Sequence, residues 1–325
     1  MRKLLTTNKI RESAICLLCI IMFCAGCASG AASGGETASG ALSQADRLLI
    51  EDKISEIVSR CPGEVGVAVI VNNVDTITVN DRKIYPMMSV FKVHQALAVC
   101  KDLDDRGISL DSVVTLSRGE LDPETWSPML REHPEPEIRL RVSDLLRYTI
   151  TQSDNNASNY MFSRLTGVGQ TDSFVATVIP RESFRIAYSE AEMSVAHDRA
   201  YVNATSPLGA AALMNRIFTD SLLSHDKQTF IIDALKECKT GKDRIAAPLQ
   251  DKPGVTIAHK TGSGYTTGEG VLVAHNDVAY VGLPNGVSYT LAVFVKDFKG
   301  DEAGAAKVIA DISSSVYSVL SRVER

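Results

Sequence analysis

The 325-residue chain has no apolar run long enough to cross a bilayer comfortably; residues 14–25 fall well short of the ~20 that a spanning helix needs. It has no internal repeat, no collagen-like period and no heptad, which sets aside solenoids, fibres and coiled coils. Its six histidines (94, 133, 197, 225, 259 and 275) form no HxxxH or HxH pair. The cysteines beyond residue 27 are Cys61, Cys100 and Cys238, none at a metal-like spacing. Three cysteines allow at most one disulfide, and each is expected as a small buried apolar residue. A metal site is therefore not expected. Positive charge is scarce as well. The formal charge is −5, and the residues before Cys27 hold Arg2, Lys3, Lys9 and Arg11 against Glu12, so the remainder carries −8. With no basic stripe and no interleaved aromatics, nucleic acid is not an expected partner.

What is present is an ordinary globular composition, 45% hydrophobic and 22% charged, in a chain long enough for one large or two intertwined domains. Residues 1–27 read as an export signal, with a basic start, a short apolar run and small residues before a cysteine. The junction Cys24-Ala25-Gly26-Cys27 resembles a bacterial lipobox, although Cys24 stands where an aliphatic residue is usual. That resemblance implies a periplasmic lipoprotein anchored through Cys27; cleavage near Ala28 by ordinary signal peptidase is the alternative. Residues 28–41, almost all Ala, Ser, Gly and Thr, read as a flexible tether.

Apolar spacing predicts a helix over 42–60 (Leu48, Leu49, Ile54, Ile57 and Val58), ended by Cys61-Pro62-Gly63. A hairpin of strands 65–71 and 76–79 turns at Asn72-Asn73. The pattern then becomes mostly helical, at 90–103, 142–150, 155–165, 206–219 and 227–237. Strand character returns at 256–259, 277–283 and 288–295, and an amphipathic helix over 302–322 closes the chain. The expected fold is α/β (α+β): a five-stranded antiparallel sheet with flanking terminal helices, from residues 42–88 and 239–325, interrupted by an all-α insert over 89–238. A groove between the two lobes is the natural site, and one groove per chain asks for no partner, so a monomer is expected.

Three motifs occur in order: Ser89-Val90-Phe91-Lys92, Ser153-Asp154-Asn155 and Lys260-Thr261-Gly262. Ser89 is placed at a helix start, where outward N–H groups suit a developing oxyanion, and Lys92 lies one turn on along the same face. Alone, Ser-x-x-Lys turns up on the order of once by chance in such a chain, Ser153-Asp154-Asn155 reads better as a helix cap, and Lys260-Thr261-Gly262 reads as a strand end. Together they supply a nucleophile, an amine, a second hydroxyl and a cation for a substrate carboxylate.

Ordered and spaced this way, the motifs resemble those of the penicillin-recognising serine enzymes, which include the class A β-lactamases. The stretches Pro86-Met87-Met88-Ser89-Val90-Phe91-Lys92-Val93-His94-Gln95 and Asp243-Arg244-Ile245-Ala246-Ala247-Pro248 are similar to the CfxA cephalosporinases, a branch related to the PER-type enzymes. The resemblance implies hydrolysis of β-lactams, with a lean towards cephalosporins, and no metal or organic cofactor. Ser89 is the implied nucleophile, the N–H groups of Ser89 and Ser263 the oxyanion hole, and Ser153 the proton relay. Asn155 would bond the substrate amide, and Lys260, Thr261, Gly262 and Ser263 would line the carboxylate end.

Residues 186–194 resemble the class A loop that carries the deacylating base, which puts Glu190 in that role, with Glu182 and Glu192 as the other candidates. The proton from Ser89 would go to Lys92, or to Glu190 through water. Asparagine usually follows that glutamate by four residues; here the position is Ser194, which leaves open how hydrolytic water is held. Thr240-Gly241-Lys242-Asp243-Arg244 is similar to an element that sets a guanidinium behind the carboxylate, while Trp126 stands where the family has an aromatic gatekeeper. The alternatives are a surface ion pair for Arg244 and core packing for Trp126. Two other activities share the trio: a D-alanyl-D-alanine peptidase, which holds its acyl group, and a β-lactam sensor domain, for which a membrane span and cytoplasmic module would be expected.

Overall fold

The computed structural model describes residues 40–323. The export-signal, lipobox and Cys27 readings, and nearly all of the tether, lie outside the described residues. Gly40, at the tether's end, is already tied down, its carbonyl accepting 2.8 Å from Asn72 Nδ2.

Helix α1 (Gln44–Ser59) starts where the Ser43 hydroxyl accepts from the Asp46 N–H, and it ends before Pro62. Its core-facing residues are Ile50 and Ile54, whereas Leu48 and Leu49 are exposed, so the buried stripe is rotated from the one predicted. Strands β1 (Glu64–Val71) and β2 (Asp75–Val79) form the expected hairpin. Asn72 and Asn73 both have positive φ, as a twist-matched tight turn requires. Strand β3 (Tyr85–Pro86) and a 3-10 turn over Met88–Val90 lead into α2 (Phe91–Asp105).

The insert is not all-α. Strands β4 (Val113–Ser117) and β5 (Glu137–Arg141) pair antiparallel around α3 (Pro128–Glu132). Their alternation is anchored only by Leu116, Ile138 and Leu140, too few apolar residues to stand out in sequence. Helices α4 (Val142–Thr151), α5 (Asn155–Arg164) and α6 (Val168–Val175) follow, then β6 (Phe184–Arg185), α7 (Glu190–Val195) and β7 (Ala204–Thr205). Strands β3, β7 and β6 make a small sheet of their own, and α8 (Pro207–Thr219) and α9 (His225–Lys236) complete the insert.

Strands β8 (Thr256–Ser263), β9 (Val271–Gly282) and β10 (Ser288–Lys299) and helix α10 (Glu302–Leu320) return the chain to the main sheet, whose antiparallel order is β2-β1-β10-β9-β8. Strands β8 and β9 are longer than predicted. Lys260 therefore lies inside β8 rather than at its end, and Thr261, Gly262 and Ser263 pair with Asp277, Asn276 and His275. Polar side chains hid this extension, since the backbone ladder and not apolar content carries it.

The sheet separates two cores. Val65, Val67, Val69 and Val71 face Ile50, Ile54, Ile309, Ile312 and Val316, while Ala68, Ile70 and Phe294 face the insert. Gly66 sits where a Cβ would come within 2.4 Å of the buried Tyr85 ring. Gly66→Ala should destabilise the fold by about 1–3 kcal/mol through overpacking. Thermal unfolding should show a Tm several degrees lower, and an unchanged Tm would mean that Tyr85 yields freely.

Candidate active site

Met88, in the turn before α2, has a φ of 46°, a left-handed conformation strained for a side chain of its size. Hydrogen bonds fix that turn. The Met87 N–H donates to the Asn203 carbonyl at 2.8 Å, and Asn276 Nδ2 of β9 donates to the Pro86 and Met87 carbonyls at 2.8 and 3.3 Å. The turn presents Ser89, half-buried, beside the fully buried Lys92. Lys92 Nζ donates to Ser89 Oγ at 3.1 Å, to the Ser153 carbonyl at 2.8 Å and to Asn155 Oδ1 at 2.6 Å, with Ser153 Oγ at 3.4 Å.

Ser153 occupies the corner between α4 and α5 with a φ of 59°. Next to it, buried Asp154 caps α5 through the Ala157 N–H at 2.9 Å. The same carboxylate accepts from Ser127 Oγ at 2.9 Å and the Met129 N–H at 2.8 Å, which locks the 125–132 segment against the motif. Burial raises the pKa of Asp154, and these bonds to its charged form oppose the rise. The helix cap read from Ser153-Asp154-Asn155 is thus made by Asp154, while its hold on the 125–132 segment had no signal in sequence.

Trp126, in the locked segment, is 53% exposed and so is not a core residue. Its indole donates to the Gln152 carbonyl at 2.8 Å, and the Arg131 guanidinium lies 4.6 Å from the ring centre. Asn155 Nδ2 donates to Thr125 Oγ1 at 2.9 Å.

From β8, fully buried Lys260 donates to Ser153 Oγ at 3.0 Å and to the Thr261 carbonyl at 2.8 Å. Burial pulls its pKa down to about 7; Cys238 acts against that fall and Lys92 adds to it. Gly262 is indispensable to the close approach, since a Cβ there would lie 2.3 Å from the Met87 carbonyl oxygen. Arg244 is buried, not a surface ion pair. It donates to Ser263 Oγ at 2.5 Å and to the Gly262 and Asn276 carbonyls at 3.2 and 2.7 Å, so the guanidinium stands directly behind the end of β8.

Of the three candidate carboxylates, one reaches Ser89. Glu190 Oε1 accepts from Ser89 Oγ at 3.0 Å and lies 2.9 Å from Lys92 Nζ. This is a direct contact, whereas the expectation routed it through water. Glu192 is occupied in a capping box with Ser189, and Glu182 is exposed. Ser194 borders the groove, but its hydroxyl donates to the Ala191 carbonyl of its own helix at 2.8 Å and not to Glu190. The loop owes its position to Asn203, missed in sequence, whose side chain bonds the Ala187 N–H (2.8 Å), the Tyr188 N–H (3.0 Å) and the Tyr188 carbonyl (2.7 Å).

These residues border a groove of about 370 Å³ lined by Met88, Thr125, Asn155, Glu190, Ser194 and Ser263. Larger hollows of about 600 and 610 Å³ lie beside α5 and between β2 and α8, without the convergent nucleophile and cations, so chemistry rather than volume marks the site. A hydroxyl held between a carboxylate and an ammonium, with two further cations beyond, can attack an activated carbonyl attached to an anionic group.

Comparison with known proteins agrees with this chemistry. The model of the β-lactamase enzyme family matches residues 49–320. The chain is 66% identical over 272 residues to a β-lactamase of Phocaeicola vulgatus, covering 84% of this chain and 85% of that one. It is 30% identical to the extended-spectrum β-lactamase PER-1 of Pseudomonas aeruginosa, covering 83% and 86%. A solved class A β-lactamase from Bacteroides cellulosilyticus superposes with a TM-score of 0.81 at 32% identity, over 86% of this chain and 99% of the other. The chain belongs to the β-lactamase enzyme family, as a class A member.

Proposed function

We propose that this class A β-lactamase hydrolyses the lactam amide of cephalosporins and penicillins through an acyl-enzyme on Ser89. The observation that carries this reading is the contact of Ser89 Oγ with both Glu190 Oε1 (3.0 Å) and Lys92 Nζ (3.1 Å). In the proposed first step Ser89 Oγ attacks the carbonyl carbon, and its proton passes to Glu190 while the Lys92 ammonium steadies the developing charge. The N–H groups of Ser89 and Ser263 receive the oxyanion, each such donor contributing about 3–4 kcal/mol.

As the C–N bond breaks, Ser153, bridged to Lys92 and Lys260, passes a proton to the nitrogen and regains one through Lys92 from Glu190, which is then a carboxylate again. Asn155 orients the substrate amide, Trp126 flanks the entrance, and Lys260, Thr261, Ser263 and Arg244 hold the carboxylate. Glu190 then deprotonates water, which attacks the ester and frees Ser89. A peptidase using the same trio would lack a base at this distance for that last step.

The cephalosporin lean follows from the stretches shared with the CfxA branch. Export with acylation of Cys27 follows from the lipobox-like junction. Cys27→Ser in the expressed full chain should shift the protein from the membrane fraction to the soluble one; an unaltered distribution would favour cleavage near Ala28.

Ser89→Ala should abolish nitrocefin turnover, and chelator-sensitive residual activity would point to different chemistry. Glu190→Gln should slow deacylation about 10²–10⁴-fold and acylation less, since Lys92 remains beside Ser89 as an alternative proton acceptor, so that intact mass shows accumulated acyl-enzyme. Rapid steady turnover in that variant would move the base elsewhere.

The Lys260 amine, with its pKa pulled down to about 7 chiefly by burial, carries its charge below that pH and loses it above. For substrates bearing a carboxylate, kcat/KM should fall on the alkaline side of neutrality. In Lys260→Arg, whose side chain stays charged, that limb should move to higher pH. Superimposable profiles would remove Lys260 from carboxylate binding.

A further inference from the structure

On the face of β8 turned away from Ser153 lies a second cluster of reactive groups, which hydrolysis leaves idle. Lys260 reaches Ser153, so its neighbours His259 and Thr261 lie on the opposite face of the strand. His259 is buried, and its Nδ1 lies 3.1 Å from both oxygens of the fully buried Asp277. Asp277 also accepts the Ile245 N–H at 3.2 Å, which holds the carboxylate in place. The thiol of Cys238, two residues past α9, lies 3.4 Å from Thr240 Oγ1 and within electrostatic reach of His259. Thr240 Oγ1 in turn makes a 2.6 Å contact with Thr261 Oγ1 of the substrate-binding strand. Cys238 is half-buried and free of any disulfide. The three groups are not arranged as a metal-binding set.

We propose that Cys238, backed by His259 and Asp277, is a modification site for small disulfides and other soft electrophiles, and that its modification disables the Lys260-Thr261-Gly262 edge. Acid, imidazole and thiol in series are the arrangement that produces a nucleophilic thiolate. Burial pushes the Cys238 thiol up, but the influence of His259, its charge first, outweighs burial and brings the thiol down to about 7. Burial likewise opposes protonation of His259, yet Asp277, then Cys238, carry it up to about 10. The other cysteines differ. Burial raises the Cys61 thiol, and it pushes Cys100 up to about 12.

In the modification, the Cys238 thiolate attacks one sulfur of a disulfide. A new S–S bond forms, the old one breaks, and the departing thiolate takes a proton from solvent. The consequences reach the site by two routes. The packing is tight, since a Cβ on Gly241 would lie 2.3 Å from Thr261 Cγ2, so an added group displaces Thr240 and Thr261. Capping also removes the negative charge that most supports protonation of Lys260.

The second half of the proposal rests on the hydrolytic reading; the first does not. The test is methyl methanethiosulfonate on the purified protein at neutral pH, with labelled cysteines mapped by mass and nitrocefin kinetics followed in parallel. A thiol drawn down towards neutrality against one that burial pushes up, partly offset by lower intrinsic nucleophilicity, should make Cys238 react about fivefold faster than Cys61. Complete labelling should lower kcat/KM about tenfold, mainly through KM, and dithiothreitol should restore it. Cys238→Ser should resist the reagent, its own kcat/KM unaltered by treatment, and His259→Gln should slow labelling.

Labelling of Cys61 ahead of Cys238, or a folded His259→Gln protein that labels at the wild-type rate, overturns the thiol assignment. Full labelling with unaltered kcat/KM overturns the coupling. Should His259→Gln fail to fold, the Cys238 to Cys61 ratio in the wild type decides. A protein without basal turnover refutes the hydrolytic reading, while the labelling ratio still judges the thiol.

Discussion

A fully buried ammonium has to be surrounded by acceptors, because an unpaired charge removed from water costs several kcal/mol even after relaxation. Lys92 meets that requirement by gathering oxygens from three separate parts of the chain besides its own helix. Ser89 stands one turn before it, Ser153 and Asn155 come from the α4–α5 corner, and Glu190 comes from the loop at α7. The constellation that performs the chemistry is also the one that satisfies this charge. Removing any acceptor would therefore alter both the catalytic geometry and the electrostatics of the insert.

The sheet supplies the opposing wall at very close range. Gly262 of β8 presses against the Met87 carbonyl, Asn276 of β9 holds the same turn, and Met88 and Ser153 stay in left-handed conformations. Strain of this kind persists only where surrounding bonds over-determine it. Asn203 shows how economically that is done, fixing the Ser89 turn through its backbone and the Glu190 loop through its side chain. The cations Lys92, from the insert, and Lys260, from β8, both reach Ser153, Arg244 stands behind the end of β8, and Asp277 lies beside His259 on the far face of that strand.

Much of this was legible in sequence, unevenly. The hairpin turn at Asn72-Asn73, the terminal helices and the three motifs declared themselves through local chemistry, and Glu190 was separable from Glu192 only by resemblance. Geometry adds the physical reason, for Glu192 is used up in a capping box while Glu190, at the first position of α7, points inward. Ser194 shows the converse. Its place in the loop implied contact with the site, yet its hydroxyl folds back onto Ala191. The β4–β5 hairpin and the polar ends of β8 and β9 escaped because their pairing is a backbone property with little apolar signature.

By itself the sequence determined the elements with strong periodicity and the placing of Ser89 one turn from Lys92, which depend on residue type and near spacing, while the reaction class was legible through resemblance to a known family. Only the tertiary structure decided which carboxylate meets Ser89, that Arg244 is buried behind the end of β8, that Trp126 stands at the surface, and that Asp154 and Asn203 hold the parts together. Those outcomes depend on distance between segments up to about a hundred residues apart. Short-range propensity does not encode such distances; packing and the satisfaction of buried polar groups set them.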